Sequence, residues 1–193
     1  LFEWEYTTEN VSMMPAIINT IYVVLLSLLI SAPIGICSAI YLVEYAKRGS
    51  KLVKIVLLTT ETLAGIPSIV YGLFGSLMFV ISLNMGLSLL AGSLTLAIMV
   101  LPTIMRTTQE ALVAVPDSYR EGSYGLGAGK IRTIFRIILP SAVPGIMSGI
   151  VLSMGRIVGE TAALIYTSGT VGKISTSVFE PGSTLAVHMY KLM

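Results

Sequence analysis

Three long stretches of this chain contain no Asp, Glu, Lys or Arg; they are residues 17–43, 62–105 and 137–155. A helix needs about 20 apolar residues to cross the ~30 Å hydrocarbon core of a bilayer, and each stretch is about that long or longer. With 54% hydrophobic and only 11% charged residues, the chain also lies outside the usual range for a soluble domain. The sequence therefore predicts an all-α, polytopic membrane bundle.

Four membrane spans fit this pattern. We place them at residues 17–43, 53–82, 88–107 and 143–166. Gly65 and Pro67 interrupt the second span, and we predict a kink or break there because proline removes a backbone donor. Small residues in spans two to four are expected to let helices approach closely; they include Gly72, Gly75, Gly145 and Gly149. With no convincing repeat or low-complexity linker, residues 1–193 are predicted to form a single domain.

The cations cluster in two loops. Between spans one and two lie Lys47, Arg48, Lys51 and Lys54, and between spans three and four lie Arg120, Lys130, Arg132 and Arg136. Lys and Arg accumulate on the cytoplasmic side of membrane proteins. We therefore predict that residues 46–54 and 107–142 are cytoplasmic and that the amino terminus of this chain lies outside.

Catalytic and metal-binding patterns are missing from the sequence. Cys37 is the only cysteine and His188 the only histidine, so no cluster of zinc ligands is plausible. Neither a Ser/His/Asp arrangement nor a phosphate-cradling Gly-x-x-x-x-Gly-Lys loop is visible. We expect no catalytic site, no cofactor or metal bound by this chain, and no nucleic acid partner. Any energy for active transport must therefore come from another protein.

The second cytoplasmic loop has an ordered pattern. Ser118 followed by Glu121 reads as a capping box that begins a short helix just after Pro116. Three glycines are expected to stop that helix; they are Gly125, Gly127 and Gly129. Residues 130–139 then form a second, basic amphipathic helix, which Pro140 is expected to end. The predicted result is a rigid projection that suits docking.

This loop resembles the cytoplasmic motif of ABC-importer permeases, which reads Glu-Ala-Ala, three residues, Gly, nine residues, Ile, one residue, Leu-Pro. The matching positions keep the full spacing; they are Glu121, Gly127, Ile137, Leu139 and Pro140. Gly122 and Ser123 stand where the motif has two alanines, and Gly122 lowers helix propensity by up to ~1 kcal/mol. The resemblance implies a MetI-like transmembrane domain whose residues 110–140 couple to a separate ATP-hydrolysing subunit.

Two further segments resemble the phosphate-specific permeases of this family, of the phosphate permease A type. They are residues 63–72 and 155–162. The resemblance implies transport of inorganic phosphate by alternating access. It implies as partners a second, non-identical permease, two ATP-binding subunits that use ATP and Mg, and an extracytoplasmic phosphate-binding protein. Family members usually have a helix before the first span and another after Met193, so the chain looks truncated at both ends.

Charged residues inside the predicted spans point to a pathway. Each costs about 2.5–3.5 kcal/mol at a helix centre, so we expect them to face a wet cavity or each other. Arg156 and Glu160 are four residues apart in span four and are therefore expected on one helical face, where an ion pair is possible. Either they form a structural pair, or Arg156 helps to pass or gate an oxyanion while Glu160 holds or releases it.

Two more charged residues each have two possible roles. Arg106 closes span three in this scheme, where it either lines the pathway or snorkels to headgroups. Glu61 either lines the cavity or accepts hydrogen bonds from hydroxyls, such as those of Thr59 and Thr62 on its own helix or others on a neighbouring helix.

Alternatives to phosphate transport stay open at this point. The chain could be the permease for another solute, such as molybdate, sulfate or an amino acid. From another class, it could be an ATP-independent channel or secondary transporter.

Overall fold

The computed structural model describes residues 13–46, 50–175 and 177–193. Within these ranges the chain is helical and contains no β-strand, which confirms the all-α prediction. The amino-terminal residues 1–12 lie outside the described residues, as do Lys47 and Arg48 of the first predicted cytoplasmic loop.

Nine α-helices occupy the described ranges. They are α1 (Met14–Ile40), α2 (Lys51–Ala64), α3 (Ser68–Gly75), α4 (Leu89–Val113), α5 (Asp117–Gly125), α6 (Lys130–Thr133), α7 (Leu139–Val158), α8 (Ala162–Thr167) and α9 (Leu185–Leu192). Three π-helical segments continue α1, α3 and α6 directly; they are Tyr41–Tyr45, Ser76–Ser82 and Ile134–Ile138.

The helices agree with the predicted spans in number. In the described part of the chain, three continuous helices are long and apolar enough to cross a bilayer: Met14–Tyr45, Leu89–Val113 and Lys130–Val158. A fourth span results if the bent pair Val53–Ala64 and Ser68–Ser82 is counted as one. The break between Ala64 and Ser68 contains Gly65 and Pro67, so the predicted interruption is confirmed.

The fourth span differs from the prediction of 143–166. The helix begins at Lys130 and ends at Val158, so Pro140 does not end it. The N–H of Leu139 bonds five residues back, to the carbonyl of Ile134. This widened turn just before Pro140 accommodates a proline ring that would clash with a carbonyl in a regular α-helix. The predicted basic helix and the fourth span are therefore one element.

The backbone divides into two compact units, the first built from three segments and the second from two. Unit 1 comprises Leu1–Ser31, Gly65–Val100 and Met154–Met193. In its described part, α3 packs against α8. A Cβ added to Gly72 would lie 2.8 Å from the Cα of Ala163, and one added to Gly75 would collide with Thr95. The predicted small-residue packing is thus present in this unit.

Unit 2 comprises Ala32–Ala64 and Leu101–Ser153. Its core contains Leu112 and Ile138, both fully buried, together with Met105, Ala142 and other apolar side chains. A Cβ added to Gly145 would lie 2.6 Å from the Cβ of Ala111. The predicted cytoplasmic loop belongs wholly to this unit.

Candidate functional site

The first helix of the loop, α5, starts where predicted but for a different reason. It begins at Asp117 with Pro116 as its N-cap, and no side chain of the described residues caps it. Ser118 and Glu121 both lie inside the helix, so the predicted capping box is wrong. Pro116 has the non-helical ψ, 139°, that is usual for an N-cap residue, and it has no N–H that needs a partner. The carboxylate of Asp117, in the first turn, is favourably placed against the helix dipole.

Gly127 provides the bend after α5. The helix ends at Gly125, and Gly127 has a φ of +79°, a conformation that side chains disfavour. The N–H of Gly127 bonds to the carbonyl of Tyr124 at 2.9 Å, and that of Ala128 bonds to the carbonyl of Ser123 at 3.1 Å. Gly129 has a φ of −73°, so only Gly127 of the three glycines needs left-handed backbone.

A hydrogen bond between hydroxyls joins the two halves of the loop. Ser123 Oγ lies 2.8 Å from Thr133 Oγ1, and both residues are buried. Thr133 donates its hydroxyl proton to the carbonyl of Gly129, so Ser123 is the donor to Thr133. Ser123, one of the two departures from the family motif, therefore has a partner for its hydroxyl. A Cβ at Gly122, the other departure, would meet no atom of the described chain within 4 Å.

Arg120 has a structural position that the sequence analysis did not single out. Its Nε and Nη2 donate to Glu44 Oε1 at 3.1 and 2.8 Å. Nη2 also donates to the carbonyl of Leu112, at 3.0 Å. Nη1 donates to the carbonyl of Val115 at 2.9 Å and to Asp117 Oδ1 at 3.1 Å. These contacts use the five N–H donors that a guanidinium offers.

The surface of the loop exposes several apolar side chains. Leu126 is 91% exposed, at the bend. Tyr119, Tyr124, Ile131 and Phe135 of the same loop are exposed as well. Glu121 is exposed on the same short helix as Tyr119 and Tyr124. Several exposed large apolar side chains in one loop are compatible with a protein interaction site.

The remaining motif residues lie in the long helix that follows the bend. Ile137 is in its π-helical segment, and Leu139 and Pro140 begin α7. All three are partly or fully exposed.

Two of the four predicted pathway residues come together in unit 2. Glu61 and Arg106 line a cavity of about 200 Å³ with Thr60, Thr103, Thr107 and Glu110. Arg106 Nε donates to Glu110 Oε1 at 3.1 Å, and both side chains are more than half exposed. The sequence predicts that the loop begins at Glu110, whereas α4 continues to Val113. Arg106 therefore lies within its helix rather than at its end.

The predicted hydroxyl partners of Glu61 bond elsewhere. Thr59 donates to the carbonyl of Ile55 at 2.8 Å, and Thr62 donates to that of Leu58 at 2.7 Å. A hydroxyl has one proton, so neither donates to Glu61. The carboxylate of Glu61 instead lines the cavity, together with threonines of a neighbouring helix, Thr103 and Thr107.

Arg156 and Glu160 do not share one helix, which corrects the premise of a helical i, i+4 pair. Arg156 lies in the last turn of α7, which ends at Val158. Glu160 lies beyond it and is 9% exposed. Its carboxylate accepts a hydrogen bond from the N–H of Ala163 at 3.1 Å, at the start of α8. Gly159 favours the end of α7 because glycine weakens a helix.

No metal centre is formed by the described residues, among which no group of three or more His, Cys, Asp and Glu side chains converges. His188 is buried in α9, and burial lowers the pKa of its imidazole, with a smaller contribution from the charge of Lys191.

Comparison with known proteins defines the class. Residues 31–191 match the family described as binding-protein-dependent transport system inner membrane component. The chain belongs to this family, as the motif in residues 121–140 indicated. Together with the apolar helices, this makes it a multi-pass membrane protein.

Several relatives carry more specific names. A Bacillus subtilis protein named probable ABC transporter permease protein YqgI is 34% identical over 187 residues, which cover 90% of this chain and 63% of the relative. The phosphate transport system permease protein PstA 1 of Mycobacterium tuberculosis is 41% identical, with coverage of 78% and 49%. PstA of Yersinia pestis is 39% identical, with coverage of 91% and 59%. The chain thus spans between about half and just under two thirds of these relatives.

A solved structure shares the fold. A chain from inward-facing conformations of the MetNI methionine ABC transporter superposes with a TM-score of 0.65 over 92% of this chain and 83% of that chain. The sequence identity is 20%, so the similarity shows the fold alone.

Proposed function

We propose that this chain is a permease subunit of an ATP-driven importer and that it translocates inorganic phosphate across the cytoplasmic membrane by alternating access. The observation that carries the importer assignment is the loop of unit 2. There, a short helix, a left-handed Gly127 and a second helix present an exposed apolar tip. Family membership supports the same assignment.

The proposed partners follow from the family. They are a second, non-identical permease, two ATP-binding subunits that use ATP and Mg, and an extracytoplasmic binding protein. In this arrangement residues 46–54 and 107–142 face the cytoplasm, and the amino terminus of the chain lies outside. The positive charge of both loops supports this orientation. The loop centred on Gly127 docks into an ATP-binding subunit, and this chain hydrolyses no ATP.

Phosphate is the proposed solute because relatives at 39–41% identity are named phosphate transport permeases. A second candidate is another solute, since the Bacillus relative is named only as a probable ABC transporter permease. Phosphate transport predicts that phosphate, rather than sulfate or molybdate, stimulates the ATPase of the assembled complex.

The charged residues of the helices are proposed to contribute to the path. A guanidinium binds oxyanions through paired N–H donors, which suits Arg156 and Arg106 to contact phosphate. Glu110 neutralises Arg106 at 3.1 Å, so we propose that passage of the anion accompanies a loosening of this pair. Glu61 and Glu160 would repel a free anion and are proposed to limit its dwell time.

The test uses the full-length protein, reconstituted into liposomes with its partner permease, ATP-binding subunits and binding protein. We expect ATP-dependent phosphate uptake and phosphate-stimulated ATP hydrolysis. Stimulation by sulfate or molybdate alone would assign another solute. Phosphate uptake without any ATP-binding subunit would point to a channel or secondary transporter and overturn the importer assignment.

Two variants locate the function in the chain. Gly127→Leu should uncouple the chain from its ATP-binding subunits and abolish ATP-driven uptake while the protein still inserts. Arg156→Gln should reduce uptake while the complex still assembles. Loss of assembly in Arg156→Gln would instead support a structural role for this side chain.

A further inference from the structure

Arg120 connects α5 to two other helices of unit 2. Its partner Glu44 lies in the π-helical end of α1, and its partner Leu112 lies in the last turn of α4. The last carbonyls of a helix lack partners within the helix, so the bond from Arg120 to the Leu112 carbonyl also stabilises the end of α4. One side chain therefore holds α5, the inner end of α1 and the end of α4 together.

The second half of the loop contacts the same part of α1. The Nζ of Lys130, the first residue of α6, lies 4.7 Å from the ring centroid of Tyr45. This is a cation–π distance. Glu44 and Tyr45 are neighbours in the π-helical turn, where the N–H of Ala46 bonds to the carbonyl of Tyr41. The two sides of the Gly127 bend thus contact neighbouring residues of α1's π-helical end, Arg120 contacting Glu44 and Lys130 contacting Tyr45.

The two carboxylates bound to Arg120 differ in their surroundings. The side chain of Glu44 is 6% exposed, whereas that of Asp117 is 69% exposed. Asp117 belongs to α5 itself, so its bond to Arg120 stays within one helix. Of these two carboxylate bonds, only the one to Glu44 connects the loop to α1.

We propose that Arg120 is the positioning residue that transmits movement of the loop to the inner end of α1, through Glu44. This inference rests on the proposed function, in which an ATP-binding subunit moves the loop. A stiff helix held only by its neighbours in sequence would tilt when the subunit pulls on its tip. A guanidinium with all five donors engaged in three segments makes α5 move together with the ends of α1 and α4.

The ratio of phosphate transported to ATP hydrolysed, here called the coupling ratio, distinguishes transmission of movement by Arg120 from a purely structural role. If a variant merely unfolds part of the protein, phosphate uptake and ATP hydrolysis fall in proportion. If a variant breaks the connection, hydrolysis continues while uptake falls. The quantity to measure is therefore phosphate transported per ATP hydrolysed in the full reconstituted complex.

Glu44→Gln and Asp117→Asn form a matched pair. Each removes one carboxylate charge from Arg120 and keeps the size of the side chain. We expect Glu44→Gln to lower the coupling ratio by at least about fivefold, the lower end of typical coupling effects. Asp117→Asn should leave it within about twofold of wild type. Equal ratios in the two variants, or an unchanged ratio in Glu44→Gln, would overturn the proposal.

Arg120→Lys provides a second approach. Lysine keeps the charge but has three donors on one nitrogen, so it cannot maintain all five contacts. We expect a lowered coupling ratio with normal co-purification of the ATP-binding subunits. Lys54→Gln, which removes an exposed cation at the start of α2, is the control and should leave the ratio unchanged. A wild-type ratio in Arg120→Lys would contradict the proposal.

Amide hydrogen exchange of α5 tests the contact without transport. In the assembled complex without ATP, Glu44→Gln should speed exchange over 117–125 and Asp117→Asn should affect it less. Unchanged exchange in Glu44→Gln would contradict the proposed connection. Failure of the proposed function is a different result, since the wild-type complex itself would then show no phosphate-stimulated hydrolysis, and the inference would fail with it.

Discussion

Asn19 in unit 1 and Arg120 in unit 2 each hold separate segments of the chain together. Asn19 does so through a neutral amide and Arg120 through a charged guanidinium. Asn19 is fully buried. Its Nδ2 donates to the carbonyls of Lys173 and Ser183 at 3.0 and 3.3 Å, and its Oδ1 accepts from the N–H of Ser175 at 3.3 Å. The amide thereby fixes the segment between α8 and α9 to α1. Arg120 gathers three segments in the same way, but with a charged group and a carboxylate partner.

The two side chains differ in what they need when they are removed from water. A neutral amide satisfies backbone groups in an apolar region with no charge to neutralise. A guanidinium needs a counter-charge when it loses water, and Glu44, at 6% exposure, provides it. A neutral anchor suits a segment that stays fixed. A charged pair near the end of a helix can exchange partners with water or with a docking subunit.

The largest effect is expected at the neutral anchor. Asn19→Leu leaves two backbone carbonyls and one N–H without their partner inside unit 1. Each buried unsatisfied group costs about 1–3 kcal/mol, so the free energy of unfolding should fall by on the order of 3 kcal/mol or more. Thermal unfolding of the full-length protein in detergent measures it.

Asn84→Gly is the matched control for this prediction. Asn84 is exposed and has a φ of +51°, which glycine adopts readily. Its substitution should shift the unfolding midpoint little. If Asn19→Leu were no more destabilising than Asn84→Gly, the amide would not be the anchor that its hydrogen bonds suggest.

Much of the fold could be predicted because it depends on local features of the sequence. Uncharged stretches located the spans, and Gly65 with Pro67 located the break between α2 and α3. The errors occurred where a residue's meaning depends on its position in a helix. Ser118 lies inside α5 instead of capping it. Pro140 follows a π turn that accommodates it.

The site was predictable only in part, for a related reason. Motif spacing identified Glu121 and Gly127, because the pattern lies in one continuous segment. The partners of Arg120 come from three segments, up to 76 residues away in sequence, and spacing does not reveal such contacts. Asn19 did carry a signal, since a polar residue in the uncharged stretch 17–43 needs hydrogen-bond partners in a membrane. Attention to charged residues alone missed it.

Gly127 and Gly122 differ in whether the backbone conformation requires glycine. Gly127→Ala places a side chain at a φ of +79°, which costs about 1–2 kcal/mol. Gly122→Ala adds a Cβ that meets no described atom within 4 Å and should stabilise α5 by up to ~1 kcal/mol. Opposite signs are therefore expected from the same chemical change. Amide exchange over 117–128 measures both, and equal signs would show that backbone conformation does not control this bend.

The smallest effect is expected at the hydroxyl pair of the loop. Ser123→Ala restores the residue of the family motif and removes the 2.8 Å bond to Thr133. Thr133 keeps its bond to the Gly129 carbonyl, so no donor is orphaned and the loss should be about 1 kcal/mol. Thr133→Val should cost more, because it leaves the buried Ser123 hydroxyl without a partner, while the Gly129 carbonyl keeps the backbone N–H of residue 133. The double variant should be no less stable than Thr133→Val alone, since it removes the unsatisfied hydroxyl. If the two losses simply add in a double-mutant cycle on loop exchange, the two hydroxyls do not interact.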